Sequence, residues 1–357
     1  MSTVSIAGKC IGMRATAGED GLKKHPCFII AEMSANHDND LNKALQMVDV
    51  AADAGVDAIK VQTYSADTLT LPSDHPGTKV DSVWGASNLY ELYKGSAMRP
   101  ELHQPIFERA RERGLIAFSS AYDESSVDYL EEFDVPAYKI ASFELVHLPL
   151  LRHIAQTGKP VILSTGMSCI GEIEEAVDTL VGAGSTDIVL LHCCSAYPTP
   201  PVEVNLAAMQ TLRSTFDVPV GYSDHTLGVS VAIAAATLGA SVLEKHFTLD
   251  PTLEGPDHRF SLGPEALCQM VQGVRDAEAS LGSERKKTTV SEAVNKQLGR
   301  RSLFACAKID SGETVTAEKI RVVRPGIGLH PRYLEMVIGR TAKREIPQGW
   351  PVTWDDV

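Results

Sequence analysis

Short apolar runs alternate with amphipathic stretches along most of the chain. Eight runs read as strands: Phe28–Ala35, Ala58–Tyr64, Ile116–Tyr122, Ala137–Glu144, Val161–Met167, Ile188–Ala196, Pro219–His225 and Val242–Leu249. They are short, rich in Val, Ile and Phe, and mostly flanked by Gly, Pro or Asp. Between them lie helical patterns such as LNKALQMVDVAADAG, EIEEAVDTLVGAG and VSVAIAAATLGA. Gly55, Gly114 and Gly239 each stand where a helix should end just before the next strand. Strand and helix alternating eight times predicts a (β/α)8 barrel. An open doubly wound sheet is the alternative, and the lack of a GxGxxG turn after the first strand favours the barrel.

The pattern changes near Ser283. The segment ERKKTTVSEAVNKQLGRR is charged and poorly apolar, a linker or an exposed helix, and the residues beyond it are β-prone and dense in turns. The expected organisation is an N-terminal extension over 1–26, a barrel over 27–282, a linker over 283–300 and a small β-rich domain over 301–357. A polar, turn-rich insert, LPSDHPGTKVDSVWGASNLYELYKG, separates the second and third strands; on a barrel it would be an active-site loop.

Composition narrows the function. With 33 Lys and Arg against 46 Asp and Glu in 357 residues, the net charge is −13. That balance argues against a chain built to coat nucleic acid or an anionic membrane. It leaves room for a small anionic substrate held by a local cluster of cations. No apolar run reaches the roughly 18 residues of a membrane span, and seven cysteines without CxxC pairs suit a cytoplasmic protein with reduced thiols.

The informative residues are polar ones at the ends of apolar strands, because burying them is costly unless they are paired or used. Almost every strand ends this way: Glu32, Lys60 and Gln62, Lys139, Ser142 and Glu144, Ser164, His192, Ser195 and Tyr197, Ser223 to His225, and Glu244 to His246. Lys60 and Lys139, with the hydroxyls of Ser142, Ser164 and Ser223, would suit a phosphate ester bearing a carboxylate. Each lysine alone could instead reach solvent or pair with Glu32 or Glu144. Lys139 and Ser142 share a face only if the fourth strand ends near Ala141. His225 and His246 close neighbouring strands and could ligate one divalent ion, although a lone strand-end histidine is commonly structural.

The segments FIIAEMSANH, AIKVQTY, AYKIASFE, VILSTGM, LLHCCSAYPTP, GYSDHT and EKHFTLDPTLEGPDH, in this order, resemble the sialic acid synthase family. The tail, with RRSLFACAKIDSGETVTAEKI and RPGIGLHP, resembles that family's antifreeze-protein-like (SAF, β-clip) domain. The resemblance implies condensation of phosphoenolpyruvate with an N-acetylated amino sugar to give a nine-carbon nonulosonic acid and phosphate. It assigns Lys60, Lys139, Ser142, Ser164 and Ser223 to phosphoenolpyruvate, and His225 and His246 to a divalent metal, manganese or magnesium. It assigns Gln62, Glu144, Tyr197 and Asp257 to the open-chain sugar and Glu32 to acid/base or water-orienting work. Arg324 corresponds to an arginine that reaches a partner subunit's site, which implies a domain-swapped homodimer. Ser195 stands where the family often has Asn or Thr. QTYSADTLTL, AYKIASFE, CCSAYPTP and RPGIGLHP are most similar to the pseudaminate-forming branch, whereas EGPDHRFSL is closer to the N-acetylneuraminate and legionaminate branches. Remoter alternatives are a Schiff-base aldolase using Lys60 or Lys139 and a non-catalytic sugar-binding protein.

Overall fold

A computed structural model describes residues 3–14, 23–79, 88–282 and 285–357. The chain divides into two compact units, Met1–Gly282 and Ser283–Val357. In the first, eight parallel strands close into a barrel: β1 (Phe28–Glu32), β2 (Ala58–Thr63), β3 (Ile116–Ala121), β4 (Tyr138–Ile140), β5 (Val161–Ser164), β6 (Ile188–Cys193), β7 (Val220–Asp224) and β8 (Val242–His246). Each pairs with its neighbours in sequence, and β8 closes on β1. Every residue of β1, β7 and β8 is buried, as parallel strands covered on both faces require. The helix Leu41–Asp53 illustrates the connections: Asp40 caps it by accepting from the amides of Asn42 and Lys43, and Gly55 turns the chain with φ 79°. Gly114 and Gly239 also have positive φ, at 74° and 97°, a conformation glycine adopts without strain.

All eight expected strands form, each starting within one residue of its expected position and ending one to four residues early. β4 stops at Ile140, and Ser142–Glu144 turns into a short 3-10 helix. Lys139 and Ser142 therefore escape strict alternation and line one cavity.

The N-terminal segment, expected as an extension outside the barrel, is part of its packing. Strands Thr3–Ile6, Lys9–Arg14 and Lys23–Lys24 form a small antiparallel sheet, and Val4, Ile6 and Ile11 join the barrel's apolar core. Lys9 pairs with Asp57, directly before β2, so this sheet packs at the barrel end opposite the strand C-termini. A short helix, Ala66–Leu69, precedes the insert, and in its described part a second begins, Leu89–Ser96; residues 80–87 of it lie outside the described residues.

The second unit has its own core, built around Leu303, Ile309, Val315, Ile346 and Val352. β9 (Ser302–Ala305) and β10 (Ile320–Val323) pair antiparallel, and single bridges such as Ile309↔Ile346 hold the rest. The segment expected as a linker carries a helix, Ala293–Gly299. The Gly326 amide donates to the Gln297 carbonyl at 2.8 Å, so this helix is tied to the RPGIG turn within the same unit.

Candidate active site

Register brings the strand-end residues together. Glu32 lies opposite His246 on one side and Lys60 on the other, Gln62 opposite Ser120, Ser120 opposite Lys139, and Ser223 opposite Glu244. Alternation then sorts each strand. Lys60 and Gln62, Ser223 and His225, and Glu244 and His246 face a cavity of about 500 Å³ at the C-terminal mouth. Asp224 and Lys245, one residue out of phase, turn the other way and form a buried pair at 2.8 Å. Twelve of the thirteen residues given a site role from sequence line this cavity: Glu32, Lys60, Gln62, Lys139, Ser142, Glu144, Ser164, Tyr197, Ser223, His225, His246 and Asp257. Arg324 belongs to the second unit, where it is exposed just past β10.

The polar groups form a connected set. The Lys60 ammonium forms an ion pair with Glu32 Oε2 at 2.8 Å and donates to Ser120 Oγ at 2.9 Å, with Glu244 Oε1 at 3.7 Å. Lys139 Nζ donates to Ser164 Oγ at 2.7 Å and the Ile140 carbonyl at 2.8 Å. Gln62 donates to Glu32 Oε1 at 2.8 Å and Ser34 Oγ at 3.1 Å, and the Ser34 hydroxyl donates to Asp257. Ser223 donates to Glu244 Oε1 at 3.2 Å. The Gly166 amide donates to Ser142 Oγ at 3.0 Å. A Cβ on Gly166 would fall 2.8 Å from that oxygen and 2.2 Å from Ser195 Oγ, so only glycine permits this approach.

Lys60 and Lys139 are only 3% and 2% exposed, which excludes escape to solvent. Burial presses Lys60 toward deprotonation, but Glu244 and Glu32 outweigh it and hold its pKa above the ordinary value. Lys139 has no such direct partner, and burial pulls its pKa down. Burial raises Glu32, with Lys60 opposing and Glu244 reinforcing. Glu244 is held low because Lys139, Lys60 and His225 together overcome its burial. Two buried lysines thus share the cavity with carboxylates whose affinities for a proton are pushed apart, Glu32 up and Glu244 down, and buried cationic groups in a low-dielectric cavity suit an anion. Burial pushes Glu144 up to about 7, with Lys139 opposing.

The rings of His225 and His246 stand 5.3 Å apart, and Tyr197 packs on His225 at 4.3 Å. His225 Nδ1 meets the Cys194 carbonyl at 2.9 Å, which leaves Nε2 as its free nitrogen. His246 Nδ1 is buried without a hydrogen-bond partner, and burial followed by the charge of His225 depresses its pKa well below the ordinary value. Two facing imidazoles, one with an orphaned buried nitrogen, fit a divalent cation. Among the described residues no group of three or more His, Cys, Asp or Glu has the geometry of a metal site, so the remaining ligands would come from substrate and water. His192 plays no such part: its Nε2 meets the Val204 carbonyl at 2.7 Å and its ring packs on Tyr222.

Glu244, grouped with the strand-end residues but given no role from sequence, sits between Lys60 and Ser223. Its signal was the i, i+2 spacing to His246, which puts both on one face. Ser34, Ser120 and Cys193 also line the cavity, and nothing in their local sequence marks them.

A closed (β/α)8 barrel with its cationic, carboxylate-bearing cavity at the strand C-termini belongs to the class whose members carry their active sites there. Residues 47–286 match the NeuB family and residues 300–357 match the SAF domain. The chain belongs to the NeuB family and carries a C-terminal SAF domain, as the motif resemblance implied. It is 38% identical over 333 residues to the pseudaminic acid synthase of Helicobacter pylori, covering 93% of this chain and 98% of that one. It is 39% identical over 336 residues to the N,N'-diacetyllegionaminic acid synthase of Legionella pneumophila, covering 93% and 94%. The crystal structure of the spore coat polysaccharide biosynthesis protein SpsE from Bacillus subtilis superposes with a TM-score of 0.67 at 36% identity, covering 100% and 99%.

Proposed function

We propose that this protein is a cytoplasmic nonulosonic acid synthase that condenses phosphoenolpyruvate with an N-acetylated amino sugar, most like a pseudaminic acid synthase. The observation that carries the reading is the pair of buried ammonium groups, Lys60 and Lys139, sharing one cavity with two facing imidazoles. Relatives named for pseudaminic and legionaminic acid synthesis support the reaction class, and the pseudaminate assignment rests on the motifs of the second, fourth and sixth strands.

Lys60 and Lys139 would offset the charge of the phosphate and carboxylate, and Ser142, Ser164 and Ser223 would direct hydroxyl donors at their oxygens. Gln62, Glu144, Tyr197 and Asp257 would hold the open-chain sugar with its carbonyl carbon against C3 of phosphoenolpyruvate. A Mn²⁺ or Mg²⁺ ion held by His225 and His246 would act as a Lewis acid toward the sugar's carbonyl oxygen. C3 then attacks the carbonyl carbon and C2 is left cationic. A water oriented by Glu32 adds at C2, Glu32 takes one of its protons and passes it to the alkoxide left on the sugar's former carbonyl oxygen, and the remaining C2 hydroxyl gives its proton to the departing phosphate as the C2–O bond breaks and the 2-keto acid forms. Arg324 would complete the site of a second copy, making the working unit a homodimer. The exposed Phe143, Met167, Val202 and Leu227 on the loops around the mouth support a covered rim.

The test is phosphate release from phosphoenolpyruvate with N-acetylmannosamine and with the 2,4-diacetamido-trideoxy mannose and altrose as acceptors. Release with none of them overturns the reading. The lowered pKa of Lys139 favours one second reading, a Schiff-base aldolase. Borohydride with pyruvate would then trap a covalent adduct on Lys139, and the condensation reading expects none.

A further inference from the structure

His225 and His246 stand on neighbouring strands, yet each is held from its outer flank. His225 Nδ1 meets the Cys194 carbonyl and the His225 carbonyl accepts from the Thr199 amide, both at 2.9 Å. Both partners follow β6. On the other flank His246 pairs with Glu32 of β1, and its carbonyl accepts from the Leu262 amide at 2.9 Å. Between the two histidines the described ladder of β7 and β8 runs Tyr222↔Leu243, Ser223↔Glu244 and Asp224↔Lys245 and stops there. His225 lies one residue past its end.

Lys245 spans that gap. It precedes His246 in sequence, and its Nζ donates to Asp224 Oδ2 at 2.8 Å and to the Thr226 carbonyl. Asp224 and Thr226 are the residues on either side of His225. Asp224 Oδ1 in turn accepts from the Thr226 amide at 2.8 Å and from the Tyr222 hydroxyl at 3.4 Å, which closes a tight turn around His225. Lys245 and Asp224 are each 1% exposed. Neither they nor Thr226 line the cavity, so none of the three can touch a ligand there. A buried ion pair is a weak source of stability, because apolar residues of similar volume often serve as well. What this one supplies is a fixed link between the backbones that carry the two imidazoles.

We propose that Lys245 is a positioning residue: by gripping Asp224 and Thr226 it fixes the separation of His225 and His246, and so sets the site's affinity for a divalent cation. This rests on the reading of the two imidazoles as the protein's share of a metal site. With two side-chain ligands only, any spread in their separation costs affinity that no third side chain restores. Removing a partner that orients metal ligands typically costs 10- to 100-fold in affinity.

The experiment titrates Mn²⁺ into the metal-free full-length protein and follows the free ion by electron paramagnetic resonance, well below the Tm of each variant. Lys245→Met removes the ammonium. Lys245→Met combined with Asp224→Asn removes it without leaving a buried charge unpaired, which protects folding. In both, the Kd for Mn²⁺ should rise about 10- to 100-fold. Val242→Ala, in the fully buried first residue of β8, is the control. It should lower Tm and leave the Kd within twofold. A Kd within twofold of the unaltered protein in both Lys245 variants makes the pair structural and overturns the proposal. Equal weakening in Val242→Ala also overturns it, because general loosening would then suffice. If the unaltered protein binds no Mn²⁺, or His246→Ala binds it as tightly, the metal reading falls and the proposal with it. Tight binding lost in His246→Ala but kept in both Lys245 variants overturns the proposal alone.

Discussion

Replacing Lys139 with methionine keeps the length of the side chain and removes its charge. Lys139 Nζ already gives two hydrogen bonds, to Ser164 Oγ at 2.7 Å and the Ile140 carbonyl at 2.8 Å. An ammonium has three donors, so one remains for an anionic ligand. A hydrogen bond to a charged group contributes about 1.5–3 kcal/mol, and each 1.4 kcal/mol is about tenfold. The kcat/KM for phosphoenolpyruvate should therefore fall by about 10- to 150-fold, with the acceptor's KM little changed. Stability should behave differently. Burial lowers the pKa of Lys139, so the folded chain binds this proton less tightly than the unfolded one, which is a penalty on folding at neutral pH. Methionine removes that penalty, but it leaves the Ser164 hydroxyl and the Ile140 carbonyl short of a partner and takes from Glu244 its strongest opposing charge. These effects oppose one another, and Tm should move by only a few degrees. The assay is steady-state phosphate release with each substrate varied in turn, alongside thermal unfolding. A variant whose kcat/KM for phosphoenolpyruvate stays within twofold while the acceptor's KM rises would refute the assignment.

Chelation should abolish turnover and Mn²⁺ or Mg²⁺ restore it, and His246→Ala should lose bound metal by elemental analysis; unchanged metal content and activity would remove that histidine from the site. Glu144, raised to about 7 from an ordinary 4.5, binds its proton more tightly folded than unfolded, so its contribution to stability falls as pH rises between those values. The Tm of the unaltered protein relative to Glu144→Gln should accordingly drop from pH 5 to pH 8, and a constant difference would contradict the shift. Gly166→Ala would drive a Cβ into Ser142 Oγ and Ser195 Oγ and should raise the KM for phosphoenolpyruvate at least tenfold in a folded protein; an unchanged KM would show that Ser142 does not bind it. Mixing Arg324→Ala with His246→Ala chains should restore about a quarter of the sites if the arginine acts across a freely exchanging dimer, whereas activity at background would mean that it serves its own barrel.

The sequence by itself was enough for the repeating architecture and for most of the site. Eight apolar runs with helical patterns between them leave few ways to bury both faces of every strand, and strand starts follow from the glycine turns that precede several of them. Polar residues inside such runs stand out because burial is costly, which is why twelve of the thirteen chosen side chains meet in one cavity. Tertiary structure decided what periodicity cannot express. Strand ends depend on how far the neighbouring strand runs, so β4 stops at Ile140 and frees Ser142 to face the cavity. Interstrand register, not order along the chain, sets Lys60 between Glu32 and Glu244 and gives Glu244 its place. The N-terminal segment reads as a loose extension because its few apolar residues are scattered; only in three dimensions do Val4, Ile6 and Ile11 meet the barrel core. The insert reads as polar, yet two of its leucines, Leu89 and Leu92, line the cavity, because a short helix needs only one side to meet a cavity whose other walls lie far away in sequence.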